Sequence, residues 1–208
     1  MKNLFKLCFA LLAISSLVGC SDDTELAPYK PLIFSQTFQT IEYGSGSTEV
    51  PIAIEGWSNF NTLGSRVWIG KYFSSESNRY TEFSSFYSDA SNDPADETWL
   101  ITSKLDFTAT ANEALSFRSK TRFANGAELK VLVSTDFDGT QAGAATATWT
   151  ELTPTLPSVD DAWTNSGALD LSTINSNSVY IAFKYIGSKS QGKTTTFQLD
   201  NIKIYENK

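Results

Sequence analysis

Thr195-Thr196-Phe197-Gln198-Leu199-Asp200-Asn201-Ile202-Lys203-Ile204-Tyr205 is the stretch that decides the fold. Phe197 and Leu199 share one parity, while Ile202 and Ile204 occupy the other. Successive residues of a strand face opposite sides of the sheet, so a regular strand cannot send all four into one core. A β-bulge at Asp200-Asn201 reconciles the two halves, and bulges re-aim side chains. Asp200 is therefore the carboxylate most strongly expected in an unusual setting.

The same period of two recurs upstream. Leu129, Val131 and Val133 alternate with Glu128, Lys130 and Leu132. Val179, Ile181, Phe183 and Tyr185 form another inward set, and Leu115, Phe117, Ser119, Thr121 and Phe123 a third. Further strands are expected over 32–39, 66–73, 80–87, 98–101, 148–152 and 167–171. Gly, Asn, Asp, Ser and Pro clusters separate them, and no long segment has helical periodicity. About ten strands in one domain predict an all-β, two-sheet sandwich. Loops near 74–78, 88–97 and 139–147 are expected to cover sheet edges.

The chain has 208 residues, 41% hydrophobic, with five Trp, two Cys and no His. Lacking histidine, it cannot use a Ser-His-Asp or Cys-His site, an imidazole base or a His-ligated metal. Carboxylate, tyrosine, lysine and hard-cation chemistry remain open. No glycine-rich phosphate loop is present, and no spacing singles out a pair of acids for glycoside hydrolysis.

Residues 1–19 read as an export signal, with Lys2 and Lys6 ahead of an apolar run too short to span a bilayer comfortably. Leu17-Val18-Gly19-Cys20 resembles the lipobox of bacterial lipoproteins, which implies cleavage before Cys20 and its acylation. Cleavage also removes Cys8, leaving 14 basic against 23 acidic residues, a net of −9. Such a chain is not expected to bind nucleic acid. Residues 20–31 then form a lipidated tether and 32–208 the sandwich. Ser21-Asp22-Asp23 resembles the acidic signal that sends Bacteroidota lipoproteins to the outer face of the outer membrane.

Several motifs recur in order along the chain. They include Phe34-Ser35-Gln36-Thr37-Phe38, Thr98-Trp99-Leu100-Ile101-Thr102, Leu105-Asp106-Phe107, Thr148-Trp149-Thr150-Glu151-Leu152 and Leu199-Asp200-Asn201-Ile202. Together they resemble the choice-of-anchor J domains, a MAM-like jelly-roll family of Bacteroidota surface proteins. The resemblance spans roughly 32–205. It implies a jelly-roll sandwich akin to carbohydrate-binding and cleaved-adhesin modules, commonly without catalysis. It also implies a structural calcium between the first and last strands, with Ser35, Gln36 and Asp200 as candidate oxygens. Gln36 and Gln39 stand where the family carries acids, and amides bring a hard cation no charge. The other reading of Asp200 is a carboxylate satisfied by backbone donors at its bulge. No cofactor is otherwise required.

Trp99, Trp149 and Trp163 lie within strand-like motifs and are read as core. Trp57, Trp68, Tyr72 and Tyr80 lie nearer loops or on polar parities, and are the candidate ligand contacts. Arg118, Lys120 and Arg122 alternate with apolar residues, which places them in an outward row. Arg118 and Arg122 are candidate ligand contacts if the row meets a hydroxyl-rich or anionic partner, and cross-strand ion pairing is the alternative. Asp136-Phe137-Asp138-Gly139 begins like a calcium loop but lacks the later ligands, and reads as a hairpin turn. The functional expectation is a surface-displayed lipoprotein that binds glycans without catalysis. An adhesin or protein-interaction module is the alternative, and a carboxylate-dependent hydrolase a distant one.

Overall fold

The computed structural model describes residues 30–207. The export signal, Cys20 and all but the last two residues of the tether lie outside the described residues. Twelve strands follow: β1 (Leu32–Gln36), β2 (Ser58–Leu63), β3 (Ile69–Phe73), β4 (Asn78–Phe83), β5 (Asp96–Ile101), β6 (Glu113–Arg122), β7 (Glu128–Ser134), β8 (Thr150–Leu152), β9 (Thr164–Asn165), β10 (Leu169–Asp170), β11 (Tyr180–Gly187) and β12 (Thr196–Glu206). One sheet has five strands in the order β2-β5-β11-β7-β8. The other has seven: β10-β6-β12-β4-β3, with β1 added alongside β12 and β9 alongside β6. Every strand pairing is antiparallel. The all-β sandwich expected from the alternation is the observed architecture.

The bulge lies where the parity break requires it. Pairing of β12 with β6 shifts register between Asp200 and Lys203, and Asn201 adopts φ 52°. Asparagine tolerates this left-handed conformation better than most residues. Before the bulge β12 pairs with β4, and beyond it with β1. Phe197, Leu199, Ile202 and Ile204 all enter one core with Phe83, Leu115 and Phe117. Leu100, Leu129, Val131, Ile181, Phe183 and Tyr185 meet them from the five-stranded sheet. Each fully buried Leu, Ile or Phe contributes about 1.5–3 kcal/mol relative to exposure.

Several boundaries differ from the sequence reading. β1 stops at Gln36 because Phe38 takes φ 57°, which ends the extended chain. The stretch read as 80–87 yields β4 followed by a 3-10 turn over Ser85–Tyr87. β2 leaves no alternation to read: its sequence Ser-Asn-Phe-Asn-Thr-Leu is too polar to show a core-facing set, as suits an edge strand. β9 is two residues long and leaves no pattern to detect.

The segment 135–149 is also more than a hairpin turn. It contains a short helix, α1 (Gln141–Ala144), capped by the Thr140 hydroxyl, which accepts from the Gly143 N–H. Gly143 is needed there, since a Cβ would lie 1.8 Å from Asp138 Oδ1. This excursion covers the outer face of the five-stranded sheet rather than an edge. Phe137, Ala144 and Trp149 pack onto Trp99, Ile101, Leu132, Ala182 and Tyr180 to form a second apolar cluster.

Candidate binding face

The outer face of the seven-stranded sheet is built differently. Register places Gln198 between Lys120 of β6 and Glu82 of β4, and Asp200 opposite Arg118. These residues share the outward parity with Tyr80 and Asn78, opposite the core set. Gln198 Nε2 donates to Glu82 Oε2 at 2.7 Å and to Tyr80 Oη at 3.3 Å. Burial and the neighbouring Glu82 charge push the Tyr80 hydroxyl up to about 12.

Asp200 is fully buried, and each of its oxygens is engaged. Oδ2 accepts from Arg118 Nε at 3.1 Å, Arg118 Nη2 at 2.5 Å and Asn78 Nδ2 at 3.0 Å. Oδ1 accepts from the Asn201 N–H at 2.7 Å. The bulge thus turns a carboxylate into a closed network, with the Arg118 guanidinium supplying the positive charge.

The segment before β9 brings one more ring to this face. The Asp161 N–H donates to the Thr121 carbonyl, and the Asp161 carboxylate pairs with Arg122 at 2.8 Å. Trp163 then lies against the row of cations, its ring centroid 4.5 Å from the Arg118 guanidinium and 4.9 Å from Lys120 Nζ. Tyr80 meets Trp163 edge-on at 5.9 Å.

At the end of this sheet where β4 and β6 finish and β12 starts, a cleft of about 360 Å³ opens. It is lined by Phe86, Tyr87, Phe123, Asn125, Thr194 and Thr196. The three rings are 58%, 63% and 69% exposed. Asn125 is held rigidly: its Oδ1 accepts from the Thr194 N–H at 2.7 Å and its Nδ2 donates to Thr194 Oγ1 at 2.7 Å. Flat exposed rings beside fixed amide and hydroxyl groups suit a ligand with C–H faces and hydroxyl edges. A larger hollow of about 480 Å³ is lined mainly by Thr, Ser and Asn, including Thr135, Thr148 and Thr173, and no ring lines it.

The residues proposed from sequence are dispersed. Trp68 is fully buried and packs on Phe83 at 6.0 Å, which corrects its reading as a ligand contact. Trp57 is half-buried between Phe34 and Phe38, against the main core. Tyr72 is exposed and stacks on Tyr43 at 5.0 Å, near the β3–β4 turn and apart from the cleft. Tyr80, Arg118 and Arg122 share the outer face with Trp163. Trp163 belongs to neither apolar cluster, contrary to the core reading, because β9 places it outside the sheet.

The candidate calcium oxygens do not converge. Gln36 Oε1 accepts from the Phe38 N–H at 2.6 Å, exposed Ser35 pairs with Lys203, and Asp200 is taken by Arg118 and Asn78. A donor set already occupied by a guanidinium does not fit a hard cation. Among the described residues no group of three or more Asp, Glu, His or Cys is placed to hold a metal.

Sequence reading missed the cleft. Parity places Phe123 inward, but β6 ends at Arg122 and Phe123 takes φ 54°, which rotates its ring into solvent. Phe86-Tyr87 looked like the end of a strand. The available signal was two adjacent rings followed by Ser88-Asp89, a pattern that more often marks a turn.

A family model described as a domain of unknown function, DUF5017, matches residues 104–206, a little under half of the chain. No curated protein matches. The chain resembles the K1 cleaved adhesin domain of Lys-gingipain from Porphyromonas gingivalis W83, at 19% identity and TM-score 0.51, covering 84% of this chain and 98% of that one. It resembles the K3 domain of the same protein at 16% identity and TM-score 0.50, covering 85% and 99%. A xylan-binding domain from Paenibacillus barcinonensis aligns at 13% identity and TM-score 0.40, covering 86% and 96%. At these identities the first two likenesses establish a shared fold.

Proposed function

We propose that this protein is a non-catalytic glycan-binding domain, tethered by acylated Cys20 to the outer membrane and displayed at the cell surface. The observation that carries this reading is the cleft in which Phe86, Tyr87 and Phe123 stand exposed beside pinned Asn125. A pyranose ring would stack on these faces, and Asn125, Thr194 and Thr196 would meet its hydroxyls. The ordered motifs further support kinship with the choice-of-anchor J domains, and the gingipain likeness supports a Bacteroidota surface setting.

Affinity electrophoresis against xylan, mannan, hydroxyethyl cellulose and dextran tests the proposal. Retardation by at least one polymer, reduced tenfold or more in Phe123→Ala, is the expected result. Absence of binding across plant, host and microbial glycans sinks it and favours the second reading, a protein-docking module. The three clustered exposed rings are the observation behind that alternative, since such patches also mark protein interfaces. Labelling with a radioactive fatty acid, lost in Cys20→Ala, tests the anchor. Protease shaving of intact cells tests surface display.

A further inference from the structure

We propose that Lys120 anchors a second subsite on the outer sheet face, which takes an anionic substituent (carboxylate or sulfate) of an acidic glycan. The inference rests on the glycan-binding reading and names a substrate class within it.

Lys120 is 8% exposed, yet among the described residues it has neither an ion-pair partner within 4 Å nor a hydrogen-bond acceptor. Its two neighbours on β6 are matched, Arg118 by Asp200 and Arg122 by Asp161. The acids nearest in the register are both engaged: Asp200, diagonal to Lys120 on the adjoining β12, by Arg118 and Asn78, and Glu82, one strand further, by Gln198. What surrounds the ammonium is aromatic: Trp163 at 4.9 Å, Phe73 at 5.5 Å and Tyr80 at 6.0 Å.

Ring faces attract a cation, but they accept none of its three hydrogen bonds well. The stem of Lys120 is buried while its Nζ stays open to solvent, unlike its unpartnered neighbours, so the ammonium faces outward with no anion beside it. Two more polar atoms of this wall also lack partners, the Trp163 Nε1 donor and the Gln198 Oε1 acceptor. Both are closed to solvent, so an incoming group meets Lys120 first. An oxyanion supplies the missing charge and accepts charge-assisted hydrogen bonds, while Trp163 and the exposed Phe73 flank the sugar that carries it.

The test is affinity electrophoresis of the full chain in polygalacturonate, dextran sulfate and each neutral polymer retained by the cleft. Native protein is expected to be retarded by at least one acidic polymer, less so as salt rises. Lys120→Met is expected to lose that retardation tenfold or more, with Lys120→Arg restoring most of it and neutral binding unchanged. Polygalacturonate alone would identify a carboxylate, and dextran sulfate alone a sulfate ester. Equal retardation of Lys120→Met, or none of the native chain by either acidic polymer, overturns the inference while the Phe123-dependent neutral binding still stands. Loss of neutral binding across the panel would instead strike the glycan reading itself. If Lys120→Met melts before the assay, salt titration of native protein decides: salt-independent retardation overturns the anion subsite.

Discussion

The two outer faces of the sandwich obey the same strand alternation and come to opposite ends. On the five-stranded sheet, outward Trp99, Ile101, Leu132 and Ala182 are apolar and are roofed by the 135–149 excursion. On the seven-stranded sheet the corresponding positions hold Arg118, Glu82, Gln198 and Asp200, tied by hydrogen bonds, and Lys120, which meets only rings, including one overlying indole. An apolar outer face gains by being covered, since burial of its area is favourable. A polar one must satisfy each group in place, and any group left over becomes a point of contact for something else. The first face is thus a second core, and the second is where binding is expected.

Substitutions can break or sharpen that contrast. Trp99→Ala, which empties the centre of the roofed cluster, is expected to cost about 3–5 kcal/mol in urea unfolding, with glycan binding by surviving folded protein unaffected. Asp200→Ala is expected to cost about 3 kcal/mol, because Arg118 and Asn78 lose their shared acceptor on the polar face. If the second loss exceeded the first, the polar network rather than the roofed cluster would dominate stability.

A smaller, pH-resolved effect belongs to Tyr80. Its folded hydroxyl titrates near 12 against an ordinary value of 10, so the folded state holds the proton more tightly than the unfolded one. The stabilisation is complete below pH 10 and is lost as pH rises from there through about 12. Burial raises the buried Tyr185 hydroxyl in the same direction. Melting temperature should therefore fall across that window, and less steeply in Tyr80→Phe. The smallest expected change is in the stability of Phe123→Ala, within about 0.5 kcal/mol because the ring is mostly exposed, which makes it a clean probe of binding.

Much of the fold was legible because burial imposes a period. Leu129, Val131 and Val133, or Ile181 and Phe183, announce a core-facing strand, and the parity break at Asp200-Asn201 announces a bulge. The binding face was less legible, since polar residues on an outward parity look alike whether matched or not. Nothing in the sequence separates Lys120, which lacks an anion, from Arg118, which has one. Trp68 and Trp163 exchanged roles with expectation because their surroundings depend on chain paths, through the Pro51–Ile69 bridge and the short β9, that carry no periodic signal. Phe123 was misplaced by a single backbone torsion.

The interior place of β12 also sets a timetable. It separates β6 from β4 and receives β1 beyond the bulge, so three strands made earlier wait for the one that follows them in synthesis. The seven-stranded sheet cannot close on a ribosome-bound chain that has not yet released residue 206. Such non-local pairing slows folding, and a slow folder remains threadable for longer. The export proposed above would benefit from that delay.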